Sequence, residues 1–88
     1  MNRQVTLAGM SPTVFRAAGL RFYFFSREEK RVHVHVSGPG GEAKIWLEPE
    51  IELARSHGLD VKLTRRALTL VREREDEIRG AWDEHFGG

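Results

Sequence analysis

The alternation Val32-His33-Val34-His35-Val36 constrains this chain more than any other feature. Side chains of a strand point alternately to its two faces, so the valines form a core-facing row and both imidazoles share the opposite face. The two rings then stand on the order of 7 Å apart along the strand. In that arrangement a histidine pair can share a metal, shuttle protons or contact phosphate, and it can equally be a solvated or helix-covered surface.

The surrounding segments extend this strand into a sheet. Leu20-Arg21-Phe22-Tyr23-Phe24-Phe25 is aromatic and strand-prone, with Phe22 and Phe24 on one side and Tyr23 and Phe25 on the other. The charged stretch from Ser26 to Arg31 has hairpin length, so these two strands are expected to pair antiparallel. Ser37-Gly38-Pro39-Gly40-Gly41 is the clearest turn, and Ala43-Lys44-Ile45-Trp46-Leu47 is its return strand, ended by Pro49. Ala43, Ile45 and Leu47 face one way, Lys44 and Trp46 the other. Ser11-Pro12-Thr13 reads as extended, and Val14 to Arg16 can add a short edge strand.

Beyond Pro49, Ile51, Leu53 and Ala54 stand among charges, and Gly58 sits where a helix would be capped, which predicts a two-turn helix over Glu50 to His57. Asp60 is a good N-cap for a long C-terminal helix over residues 61–86. On its wheel Leu63, Ala67, Val71, Ile78 and Trp82 form one stripe, flanked by Leu70, Ala81 and Phe86. The run Arg72-Glu73-Arg74-Glu75-Asp76-Glu77 interrupts the stripe, and pairs such as Glu75 with Arg79 explain most of it. Arg74, placed where a Leu belongs, calls for its own account. The expected fold class is α+β: a three-stranded, at most four-stranded, antiparallel β-meander packed by a short helix and a long C-terminal helix. Residues 1–10 read as a flexible N-terminal extension with Met10 an alternative start, and residues 11–88 as a single domain.

Composition narrows the chemistry. Fourteen Lys and Arg stand against 13 Asp and Glu, a formal charge of +1, so nucleic acid finds no bulk attraction and any RNA contact is a local patch. Cysteine is absent, which removes disulfides, thiolate zinc sites and a cysteine nucleophile, and fits a reducing cytoplasm. No apolar run is long enough for a signal peptide or a membrane span, so a soluble cytoplasmic protein without membrane contact is expected.

Candidate site residues follow from these placements. Beside His33 and His35, a zinc ion needs further ligands from His57, His85, Glu42, Glu48 or another acid, and sequence spacing does not bring them together; no metal and no cofactor is expected. No Ser/His/Asp or paired-carboxylate spacing names a reaction, so His33 and His35 stand as acid/base candidates only by residue type. Gly38-Pro39-Gly40-Gly41 lacks both phosphate-loop spacings and leads into a strand, so it is a hairpin turn. Lys62, Arg65 and Arg66 form one basic patch, and Arg27, Lys30 and Arg31 another; either can hold phosphate, and nearby acids almost neutralise both. Trp82 reads as core, while Trp46 is either core or an interface anchor.

Several blocks, taken in order, resemble a known family: Ser11-Pro12-Thr13-Val14-Phe15-Arg16, Gly19 to Phe25, Val32 to Val36, Ala43 to Pro49, and Ala81-Trp82-Asp83-Glu84-His85-Phe86-Gly87. The chain resembles the prokaryotic domain-of-unknown-function family numbered forty-one-sixty over about residues 10–87. Members carry Pro-Pro-His-x-His-Val where this chain has Arg31-Val32-His33-Val34-His35-Val36, so the histidines match and the two prolines do not. The resemblance implies no established activity. It implies a small protein of a two-gene system, toxin–antitoxin-like or regulatory, whose partner is encoded by a neighbouring gene. The expected function is therefore a protein-interaction module using His33, His35, Arg31, Trp46, Arg65 and Arg66, with homo-oligomerisation open. A small metal-independent ribonuclease-like toxin using His33 and His35 is the alternative.

Overall fold

A computed structural model describes residues 12–25 and 29–87. The expected extension over residues 1–10, and Arg27 of the first basic patch, lie outside the described residues. Five strands, β1 (Thr13–Ala17), β2 (Leu20–Tyr23), β3 (His33–Gly38), β4 (Gly41–Trp46) and β5 (Glu52–His57), precede two helices, α1 (Val61–Glu73) and α2 (Glu75–Phe86). The strands form one antiparallel meander in the order β1-β2-β3-β4-β5. The fold class is α+β as expected, with five strands rather than three or four.

Period-two patterning sorts the sheet into two faces. Phe22, Val36 and Ala43 are successive cross-strand partners, as are Val34 and Ile45, and with Leu20, Phe24 and Leu47 they are buried against the helices. Ala67 and Val71 of α1 and Ile78 and Trp82 of α2 answer them from the helical layer, which is the stripe read from the sequence. At the near edge Phe15 stacks on Phe22, ring centroids 4.4 Å apart. Asp60 caps α1 by accepting a hydrogen bond from Leu63 N at 2.8 Å.

Two expectations fail here. The segment read as a two-turn helix is strand β5. A helix that short gains few hydrogen bonds for its nucleation cost, whereas extended pairing closes the ladder along β4, from Ala43 opposite Ser56 to Trp46 opposite Glu52. Gly58 is accordingly no helix cap. It forms a parallel bridge with Glu42, at a φ of +85°, and a Cβ there would strike the Gly40 carbonyl. Gly41 faces the same contact from the other side, where a Cβ would run into the His57 carbonyl.

The long C-terminal helix is also two helices, broken at Arg74, whose φ and ψ of −118° and 29° leave the helical region. The break turns the Arg74 guanidinium over the Phe15 ring at 3.8 Å, while its Nε donates to Glu77 at 2.9 Å. That is why a cation occupies a core-facing position: it caps the aromatic edge of the sheet. Arg79 pairs with Glu75 at 2.8 Å, as expected, and its Nη2 donates to the Leu47 carbonyl at 2.7 Å, tying α2 to the end of β4.

Two glycine substitutions separate close approach from helix propensity. Gly41→Ala should destabilise by about 2 kcal/mol or more, because its Cβ meets backbone that cannot give way. Gly80→Ala, where a Cβ meets nothing within 4 Å, should stabilise α2 by up to about 1 kcal/mol, both read by urea denaturation.

Candidate functional site

The face of the sheet turned away from the core carries the features singled out in the sequence. Tyr23 on β2, His35 on β3, Lys44 on β4 and Arg55 on β5 are successive cross-strand partners, so one rung crosses four strands. A second rung, His33, Trp46 and Glu52, lies beside it. Both histidines thus share one face, as the alternation requires.

They are not open to solvent there. His33 is 0% exposed and His35 5%, so of the solvated and covered alternatives the sequence left open, the covered one holds. The covering comes from neighbouring side chains. Tyr23 stacks on His35 at 5.5 Å and Phe25 lies 4.2 Å from it, while His33 contacts Trp46 at 5.4 Å, Trp82 at 5.2 Å and His35 at 5.0 Å. His33 Nδ1 donates to the Arg31 carbonyl at 2.7 Å, because a carbonyl only accepts, and this fixes which ring nitrogen carries the proton.

Trp46 resolves as part of this face rather than of the helical core. Arg31 lies over its ring at 3.9 Å and Lys44 at 4.3 Å. Arg31 also donates from Nε to the Glu48 carbonyl at 2.8 Å and approaches Glu52 at 3.8 Å. Val32 N donates to Glu48 Oε2 at 3.2 Å, a bond that proline at this position lacks. Where the resemblance leads one to expect two prolines, this chain shapes the start of β3 with an arginine clamp and a side-chain hydrogen bond.

Lys44 is buried, and its ammonium donates to Glu29 at 2.9 Å. That hydrogen bond holds the Glu29 carboxyl below its ordinary value; the charges of Lys44, His33 and Arg55 act in the same direction and desolvation opposes them. A depressed carboxylate stabilises the fold at pH above the ordinary carboxylate range, and that contribution is lost as pH falls through the lowered value.

The structure brings His33, His35, Arg31 and Trp46 together and leaves Arg65 and Arg66 apart, exposed on α1. His85 lies on α2 near Phe24, at 6.2 Å. Among the described residues no group of three or more His, Asp or Glu is placed to hold a metal ion. Sequence reasoning missed Arg55, because its segment was read as a helix, and missed the pairing of Lys44 with Glu29. The signal available for Lys44 was its phase with Trp46 on the same side of β4. Tyr23, Phe25, His35, Glu42, Arg55 and His57 line a small pocket of about 70 Å³ over the outer rung.

Replacing Glu29 by Gln should lower stability slightly near neutrality, and the difference from the unsubstituted protein should vanish on acidification through the carboxylate range, as followed by thermal melts across pH. His33→Ala should cost about 3 kcal/mol, as expected of a buried ring whose cavity cannot collapse.

Among the described residues no helix is long and apolar enough to cross a membrane. The family described as Domain of unknown function (DUF4160) matches residues 19–83. No curated protein and no solved structure matches the chain.

Proposed function

The chain belongs to the DUF4160 family, a domain of unknown function, and from that premise we propose that it is a protein-interaction module which receives an extended segment of a second protein along the outer edge of β5. The observation that carries this reading is β5 itself. It is six residues long, largely exposed and, among the described residues, bonded on one side only, to β4. A strand so placed offers a row of backbone donors and acceptors to an incoming chain.

Its side chains add selectivity. Leu53 is 37% exposed, and Glu52 and Arg55 stand on the outer face at the ends of the two rungs. An added strand with an acid beside Arg55 and a base beside Glu52 is matched, and one with the opposite pattern meets like charges. Ala54 has no partner on β4, because the register slips between Lys44 and Ile45, and this bulge discourages indiscriminate edge pairing.

The proposed partner is the small product of a neighbouring gene, in a toxin–antitoxin-like or regulatory pair. The burial of His33 and His35 favours this reading over a ribonuclease-like one, since an acid/base group must come within hydrogen-bonding reach of the proton it moves. Arg31 and Lys44 likewise both lie over the Trp46 ring, which reduces the face on which it can stack an RNA base.

Co-expression with the adjacent gene product and size-exclusion chromatography at micromolar concentration test the proposal; a stable heteromer is expected, and separate elution contradicts it. Ala54→Pro, at the bulge where proline is tolerated, should keep the fold and weaken the complex about tenfold or more. Arg55→Glu should weaken it too, and a complex indifferent to both substitutions would exclude β5 as the docking edge.

A further inference from the structure

The pocket over the outer rung has a use that strand addition does not require. Its floor is the His35 imidazole, in contact with the rings of Tyr23 and Phe25, which also touch each other, and its mouth is formed by Arg55 and His57 of β5 with Glu42 of β4. One buried water takes roughly 10–15 Å³, so about 70 Å³ admits a few waters or one small polyatomic ion and excludes a nucleobase.

The lining decides the sign of the ligand. The side chains of Arg55 and His57 make no ion pair or hydrogen bond among the described residues, the Arg55 charge reaching Glu29 only at longer range, and both are exposed at the mouth. His35, His57 and Glu42 line the same pocket, but they are not placed as a metal-ligating group, so a cation has no ligand set there. The guanidinium of Arg55 is permanently charged and suited to gripping two oxygens of a tetrahedral anion, and the exposed His57 imidazole adds a donor. Glu42 is the one opposing charge in the lining. The neighbouring Lys44 is engaged by Glu29.

We propose that this pocket binds a single phosphate-class oxyanion, either free phosphate or the phosphate of a small monoester, with Arg55 as its principal holder and His57 as the second donor. Tyr23 and His35 close the floor beneath it. Phe25, 44% exposed at the rim, offers an apolar surface to whatever carries the phosphate.

The test is a titration of the full chain at low ionic strength and slightly acid pH, following the imidazole resonances of His35 and His57 by NMR. Inorganic phosphate and phenyl phosphate are the two probes, with sodium chloride at matched ionic strength as control. Saturable shifts at roughly millimolar phosphate are expected. Tighter binding of phenyl phosphate would identify a carried monoester, and equal binding free phosphate. Arg55→Gln should weaken the response about tenfold, while Glu42→Gln should strengthen it severalfold, and both side chains are exposed, so the fold tolerates the changes. The proposal is overturned if neither the unsubstituted protein nor Glu42→Gln saturates, if Arg55→Gln responds as strongly, or if chloride gives the same shifts. No partner protein is present in this titration, so its failure would leave the strand-addition reading standing.

Discussion

The five-stranded sheet has two faces, and the described residues supply one layer of helices. Among the described residues the second face is closed largely by the side chains that stand on it, and most of what is distinctive here follows from that constraint. Valine and phenylalanine fill the helix-covered side. On the other side flat rings and long cations lie across the strands: His33 against Trp46, with Trp82 of α2 reaching it from the helical layer, His35 against Tyr23 and Phe25, and Arg31 and Lys44 over Trp46. Cation–π contacts of this kind contribute about 0.5–2 kcal/mol each, and here they also keep water from the sheet backbone.

The same solution explains why the histidines are there. An imidazole is flat enough to stack, apolar enough to bury and able to satisfy its own donor on a nearby carbonyl, as His33 does with Arg31. The start of β3 shows how local changes are absorbed. Without the two prolines expected from the resemblance, Val32 has an N–H to place and Glu48 accepts it, while Arg31 spans from Trp46 to Glu52. Closing the face with side chains leaves β5 as the most exposed of the five strands, and it sets Arg55 and His57 beside a small polar pocket. Edge and pocket are adjoining consequences of one shortage of covering layers.

How much of this the sequence disclosed depends on how local the cause was. The strand of alternating valine and histidine, the Gly-Pro-Gly-Gly turn, the cap at Asp60 and the stripe from Leu63 to Trp82 were legible, because each is dictated by neighbours within a few residues. Strand β5 was not. Its residues carry no clear period of two, and its conformation is imposed by the ladder along β4 and by Gly58 closing on Gly40 and Gly41. Arg74 was legible as an anomaly and illegible as a solution, since nothing in the sequence places Phe15 beneath it. The candidate site was half visible. The alternation put His33 and His35 on one face, and the structure adds Arg31 and Trp46 beside them, whereas Arg55 and His57 joined only through the strand read as a helix, and Arg65 and Arg66 belong to the helical layer.

The central claim is that the histidine face is sealed from within while β5 presents an edge free to pair. Amide hydrogen exchange of the isolated protein, resolved by residue, reads both halves at once. Amides of β3 should exchange only through global opening, and along β5 protection should alternate, slow where the N–H meets β4 and fast where it points outward. Uniform protection along β5, or a β3 that exchanges as readily as a loop, would contradict the account.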